Sequence, residues 1–353
     1  MSSYRKIQQY NKGEWAELYV LARVLCEKAI SVGRYSATTT RHDLEVLTVS
    51  RSDEQFAQFS FEDDHVVLES SGNRISRLIL GDLLEKFLPE IIVGDWVFTS
   101  DTGQQLLDLL EIIQLKEGTQ KSDLFLSLRD PTSGIIGRQG YSVKSFIGST
   151  PTLLNASTIT NFTYKITPVI ADSKIAELQS LAIRKMCNRL RLDGYSFELV
   201  HLEQEFETNL LMVDSRMVEI LSHSLLAYYT MEGGRDTRVD SIVDFLESSN
   251  PMSVRNPGFF YRHKWKDFLE ASAYGLTPSR PWDGLKTAPG GLIVVDKSGD
   301  LTCMPGGSSD DHREFLIRST KFDTASRKRH RFGKLHSFAG DFLVKLNLQI
   351  RYV

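Results

Sequence analysis

The chain has 353 residues, of which 41% are apolar and 25% charged, and its formal net charge is −3. That is the composition of an ordinary globular protein, long enough for one large domain or two, and it excludes a disordered or collagen-like chain. No apolar run reaches the length of a membrane span, and the first 13 residues lack an apolar signal core, so a cytoplasmic rather than an exported protein is expected.

Residues 13–30 repeat Trp15, Leu18, Tyr19, Ala22 and Leu25 at three- and four-residue spacing, which predicts an amphipathic helix. Short strands are expected at 44–50, 55–61 and 65–70, with a turn at 62–65, then helices at 76–88 and 103–115. Strands at 122–128 and 140–146 flank the turn signal 130–134, and a polar strip rich in Ser, Thr and Asn covers 149–167. The second half reads as helices at 172–191, 206–229, 237–247 and 260–274, a strand at 196–202, and a β-rich end at 291–297 and 341–353. Together these predict a mixed α/β fold. A soft boundary near 170 separates a first part, 1–170, from a helical and β-rich part, 171–353; one continuous domain fits equally. The three cysteines, Cys26, Cys187 and Cys303, are far apart on apolar stretches, giving no zinc pattern and pointing to a reducing compartment.

Chemistry enters at the two strands 122–128 and 140–146. Asp123 on one and Ser142-Val143-Lys144 on the next make the bare frame of a Mg²⁺-dependent phosphodiesterase. Strand alternation puts Ser142 and Lys144 on one face and Val143 on the other, while the pairing register stays open. Phosphodiester hydrolysis needs a hard cation held by one or two carboxylates, an oriented water, and stabilisation of charge on the phosphoryl oxygens. Asp123 suits the first task and Lys144 the other two; Ser142 can touch a metal-bound water but adds no charge. A second acid must therefore come from elsewhere. The first helix offers Glu14 and Glu17, three residues apart on one side. Glu14 can instead serve the helix N-terminus electrostatically. Glu17 lies beside the apolar stripe, and an inward acid needs a cation as partner.

Although the chain is slightly acidic as a whole, the stretch from Arg313 to Lys334 holds eight Lys or Arg against two acids, Glu314 and Asp323. If residues 326–334 run extended, Arg327 and Arg329 point the same way and can reach bases or phosphates, with Lys321, Lys328 and Arg331 beside them. The alternative is a solvated basic loop that attracts nucleic acid without specificity. Asn155 and Asn161 can contact phosphates or form turns, and Arg280 sits in a Pro-fixed turn with Trp282.

These blocks, Asn11–Val20, Lys121–Leu128, Tyr141–Ile166, Thr277–Gly284, Thr320–Lys334 and Leu343–Val353, resemble in sequence and order those of the HpaII-type restriction endonucleases. The resemblance implies a type II restriction endonuclease with a PD-(D/E)XK-like core, a mixed sheet flanked by helices. It implies Mg²⁺-dependent cleavage of double-stranded DNA at CCGG or a close relative. It matches Asp123 and Lys144 to the core acid and lysine, and Glu17 to the glutamate of a Lys-Gly-x-x-Ala-Glu helix. The sequence departs from the pattern where a proline would precede Asp123 and where Ser142 stands for the second acid. A palindromic site favours a homodimer acting symmetrically, with a monomer that nicks the two strands in turn as the alternative, and a DNA methyltransferase is expected as a genetic, not physical, partner. Two other readings of the same frame are a structure-selective repair or recombination nuclease and a non-catalytic DNA-binding protein.

Overall fold

Alternating apolar residues and nearby turns build the sheet that carries the candidate site. In the computed structural model, which describes residues 8–33, 43–51, 58–115, 122–131, 134–148, 150–230, 237–306 and 310–353, the strand Leu124–Asp130 pairs antiparallel with Gly134–Ser145 on one side and Asp43–Arg51 on the other. The expected residues 55–57, 132–133 and 149 lie outside the described part. Gly291–Val295 pairs parallel with Gly134–Ser145, setting Leu292 beside Ser142 and Val294 beside Lys144. Leu301–Pro305 and Ala29–Val32 follow in the same sheet, and Ala29–Val32 also pairs with Asp43–Arg51. Six strands therefore close on themselves, and Gln58–Glu62, His65–Leu68 and Arg74–Ser76 extend the sheet to nine strands.

The helix Lys12–Glu27 packs on the Gly134–Ser145 strand and against the helices Arg77–Val93 and Asp101–Leu109. Its start is fixed by a capping box: Asn11 Oδ1 accepts from the Glu14 backbone N–H at 3.0 Å, and Glu14 Oε2 accepts from the Asn11 N–H at 2.7 Å. Lys28, in the left-handed region at φ 56°, ends it. Nine of its side chains are buried, among them Trp15, which meets Tyr10 and Phe87 edge-on at 4.9 and 5.7 Å. A helix buried on most of its circumference is a core element, so any acid on it has a reason to be there.

The chain divides into two compact units, Met1–Pro151 with Lys286–His312, and Thr152–Leu285 with Arg313–Val353. The second unit holds a four-stranded sheet, in the order Ser196–His201, Asn161–Thr167, Asp341–Asn347 and Leu335–Phe338, and a three-stranded one of Thr152–Leu154, Ile350–Tyr352 and Thr320–Phe322. Its helical core centres on Trp265, Tyr228 and Phe322, with Tyr228 stacked on Phe322 at 5.2 Å.

The expected mixed α/β class, with a mixed sheet flanked by helices, is what the chain forms. Individual elements differ. The helix expected at 172–191 is two, Asp172–Ser180 and Ile183–Leu192, because Leu181 and Ala182 are extended. The helix expected at 206–229 is also two, Gln204–Val213 and Met217–Thr230; Asp214 between them accepts from the Arg216 N–H at 2.9 Å, a local turn that competes with helix continuation. The basic run is not extended: Arg327–His330 form one helical turn, with Ser326 Oγ accepting from the Arg329 N–H. The polar strip contains two strands, Thr152–Leu154 and Asn161–Thr167. No helix among the described residues is long and apolar enough to cross a membrane.

Candidate active site

The hairpin resolves the register that alternation left open. Leu124 stands opposite Tyr141, and the Asp123 N–H donates to the Tyr141 carbonyl at 2.8 Å, so Asp123 sits at the mouth of the hairpin across from Ser142. Asp123 Oδ2 accepts from the Val143 N–H at 2.6 Å and from Ser142 Oγ at 3.2 Å. Ser142 Oγ in turn accepts from Lys144 Nζ at 2.8 Å. One buried hydroxyl, 1% exposed, thus bridges the lysine and the aspartate. Its single proton goes to the carboxylate and its lone pair receives the ammonium, so both neighbours are held by hydrogen bonds to charged groups.

Glu17 completes the cluster from the Lys12–Glu27 helix. It is half-buried, and loss of solvent around its carboxyl pushes its pKa well above the usual carboxylate range; the charge of Asp123 raises it further. Arg51 and Lys144 act in the opposite sense, and Glu14 adds a smaller upward push. Two acids and two cations therefore share one field. Arg51, 9% exposed, ends the Asp43–Arg51 strand opposite Leu124, and its guanidinium donates to the Gln114 and Leu115 carbonyls at 2.9 and 2.7 Å. Sequence reasoning missed this arginine; its only signal is a cation at the end of a strand whose Leu44, Val46 and Val49 are buried. Glu14 lies one turn away in the capping box, its carboxylate receiving the Asn11 N–H.

The donor set fits a hard divalent cation. Glu17, whose charged form is disfavoured by burial and by the neighbouring Asp123 carboxylate, gains from a cation that replaces its proton, and Asp123 supplies a second oxygen donor. Among the described residues no three His, Cys, Asp or Glu side chains cluster as metal ligands, and Mg²⁺ needs only one or two protein carboxylates where Zn²⁺ takes four nitrogen or sulfur ligands in structural sites.

The residues expected at DNA all fall in the second unit. Arg327, Lys328 and Arg331 line one cleft of about 850 Å³, whereas Arg329, an exposed member of the same turn, does not. The helical turn removes the reason for pairing Arg327 with Arg329, since side chains two apart on a helix diverge. Asn161 is buried; its amide donates to the His330 carbonyl at 2.9 Å and its Oδ1 accepts from Asn347 at 2.7 Å, so it braces the basic turn. Lys321 is half-buried on Thr320–Phe322 opposite Arg351. Asn155 is exposed just after Thr152–Leu154. Arg280 is exposed in a turn that Asn209 holds by accepting from the Trp282 N–H and donating to the Arg280 carbonyl.

Comparison with known proteins is consistent along the whole chain. Residues 11–352 match the sequence profile described as HpaII restriction endonuclease. The type II restriction enzyme HpaII of Haemophilus parainfluenzae is 30% identical over 356 residues, covering 97% of this chain and 98% of that protein. No solved structure matches. With a profile match that takes in both compact units, the hairpin and the first helix, this chain belongs to the HpaII restriction endonuclease family.

Proposed function

We propose that this type II restriction endonuclease hydrolyses phosphodiester bonds of double-stranded DNA at CCGG or a close relative, with Mg²⁺ held by Asp123 and Glu17. The observation that carries this reading is the hydrogen-bonded chain from Lys144 through the buried Ser142 hydroxyl to Asp123, with Glu17 in the electrostatic field of both charged groups. A bound divalent cation would neutralise charge on the scissile phosphate and lower the pKa of a coordinated water. Lys144, held by Ser142 at 2.8 Å, would orient the attacking water and stabilise negative charge on a non-bridging oxygen as the phosphorus–oxygen bond breaks. Ser142 keeps that ammonium in place and so acts by positioning. Asp123, fixed by the Val143 N–H, presents a carboxylate that does not reorganise on binding. Glu14 supports Glu17 by starting the helix correctly.

In the second unit, Arg327, Lys328, Arg329, Arg331, Lys321, Asn155 and Arg280 would contact the duplex, with Asn161 shaping the basic turn from beneath. A palindromic target favours two subunits acting symmetrically; a restriction role implies a cytoplasmic location and a methyltransferase that protects the host's own sites. The test is digestion of a CCGG-containing plasmid with Mg²⁺, followed by run-off sequencing of the products. Fragments ending within CCGG, lost in Asp123→Ala and Lys144→Ala, are expected; cutting elsewhere refutes the site, and full cutting by either variant refutes the assignment of the residues.

A further inference from the structure

The second unit carries a concave basic surface whose organisation says more than its charge. The cleft of about 850 Å³ is lined by Arg327, Lys328, Arg331, Lys334 and Lys345, and among the described residues no acidic one lines it. Lys345 arrives from the Asp341–Asn347 strand, well outside the basic run. The nearest acids along the chain are engaged elsewhere: Asp323 with Arg351 at 3.3 Å and Asp341 with Lys165 at 2.8 Å. Among the described residues, none of the five cations is ion-paired. Like charges gathered in a concavity without counter-charges repel one another, and an anionic ligand removes that cost.

The cleft is also built rather than loose. Arg331 and Gly333 both take left-handed backbone, at φ 53° and 75°, which turns the chain back between the helical turn and Leu335–Phe338. A side chain at Gly333 would strike Ile183 and Arg327. The Arg327 guanidinium donates to the Gly333 carbonyl, and the Gly333 N–H donates to the Lys345 carbonyl at 2.8 Å. Gln179 donates to the Leu335 carbonyl at 2.9 Å, and Phe332 is buried beneath. A solvated basic loop has no need of these braces.

Resting on the endonuclease reading above, we infer that this cleft seats successive phosphates of the DNA backbone, with Lys334 and Lys345 as contact residues, and that it supplies affinity without reading bases. Three of its five cations are lysines, which act as point charges on phosphate, whereas guanine readout uses an open arginine fork. Arg327 has already directed its fork at the Gly333 carbonyl.

The test compares the full-length wild type with Lys334→Gln and Lys345→Gln. Binding to a duplex is followed by fluorescence anisotropy in EDTA across a salt series, and kcat/KM in Mg²⁺ is compared between the mapped cleavage site and one-mismatch sites. Each substitution is expected to flatten the slope of log K against log salt by about 1 and to leave the discrimination between sites unchanged. An unaltered slope in both variants overturns the proposal, and so does a loss of discrimination, which marks a base-reading role. If wild type neither binds nor cuts DNA, the endonuclease reading itself fails; if it does both while the slopes stay the same, only the cleft assignment falls. Should Lys345→Gln melt below wild type, the exposed Lys334 carries the test alone.

Discussion

Ser142→Ala removes one oxygen from the centre of the candidate site and nothing else. The hydroxyl is 1% exposed, so no water replaces it without rearrangement, and Asp123 keeps its 2.6 Å bond from the Val143 N–H. What is lost is the 2.8 Å anchor of Lys144, together with the longer 3.2 Å donation from the hydroxyl to Asp123. A hydrogen bond to a charged group contributes about 1.5–3 kcal/mol net. If that energy serves to hold the ammonium in its working position, losing it lowers the productive population by roughly 10- to 150-fold. Single-turnover cleavage with enzyme in excess over plasmid isolates this effect from binding. Lys144→Ala, which removes the charge itself, should fall further, by about 10³-fold in line with losing a preorganised electrostatic donor. A Ser142→Ala rate within twofold of wild type would refute the positioning argument. A loss equal to that of Lys144→Ala would refute it from the other side, since the serine would then take part in the chemistry.

Other consequences follow from the same structure. If Mg²⁺ sits between Glu17 and Asp123 as proposed, it should raise the melting temperature of wild type, with a stabilisation of about 2.7 kcal/mol at 100 times the dissociation constant; differential scanning fluorimetry with EDTA and Mg²⁺ should show the shift shrinking in Asp123→Asn. Trp15→Ala, at a fully buried position ringed by Tyr10 and Phe87, should cost about 3–5 kcal/mol in urea unfolding, and a cost below 1 kcal/mol contradicts the core assignment of that helix. Burial lowers the His223 pKa below 6.5, with Glu219 opposing. The unfolded chain therefore takes up the proton first as pH falls, and stability present above pH 6.5 is lost down to the folded pKa. His223→Gln should remove that part of the acid sensitivity between pH 7.5 and 5.5; an unchanged pH dependence excludes it.

The hairpin was legible because its signals are local. Apolar residues alternate through Leu124, Leu126 and Leu128, and a turn signal follows, so Asp123 and Lys144 could be placed on neighbouring strands before any register was known. The bridge through Ser142 was not legible, because it depends on that register. Glu17 was legible as an acid beside an apolar stripe, and Glu14 as a residue serving the helix start, although Asn11-x-x-Glu14 went unread as a capping box. Gly291–Val295 was recognised as a strand, but its place beside Gly134–Ser145 is a pairing across 150 residues that no local pattern encodes. The alternation of buried Phe162, Tyr164 and Ile166 was present within the polar strip and was masked by its Ser and Thr content. The basic run misled for the opposite reason: composition reports charge, not conformation, and one Ser326 cap is enough to wind Arg327–His330 into a turn. Its fifth cleft cation, Lys345, comes from another strand and reads there as a solvent-facing residue in an alternating pattern.

The charge that Ser142 does not supply has to come from another acid. Glu17 and Glu14 are three residues apart, yet the first lies in the field of Asp123, Arg51 and Lys144 while the second closes a capping box. The decisive measurement is single-turnover cleavage by Glu17→Gln beside Glu14→Gln, in saturating Mg²⁺ and with duplex binding measured separately. Glu17→Gln is expected to lose about 10³-fold or more in rate while still binding DNA, and Glu14→Gln to stay within about tenfold of wild type with a cap-sized loss of stability near 1 kcal/mol. Wild-type cleavage by Glu17→Gln, or the reverse ranking of the two variants, would contradict Glu17 as that acid.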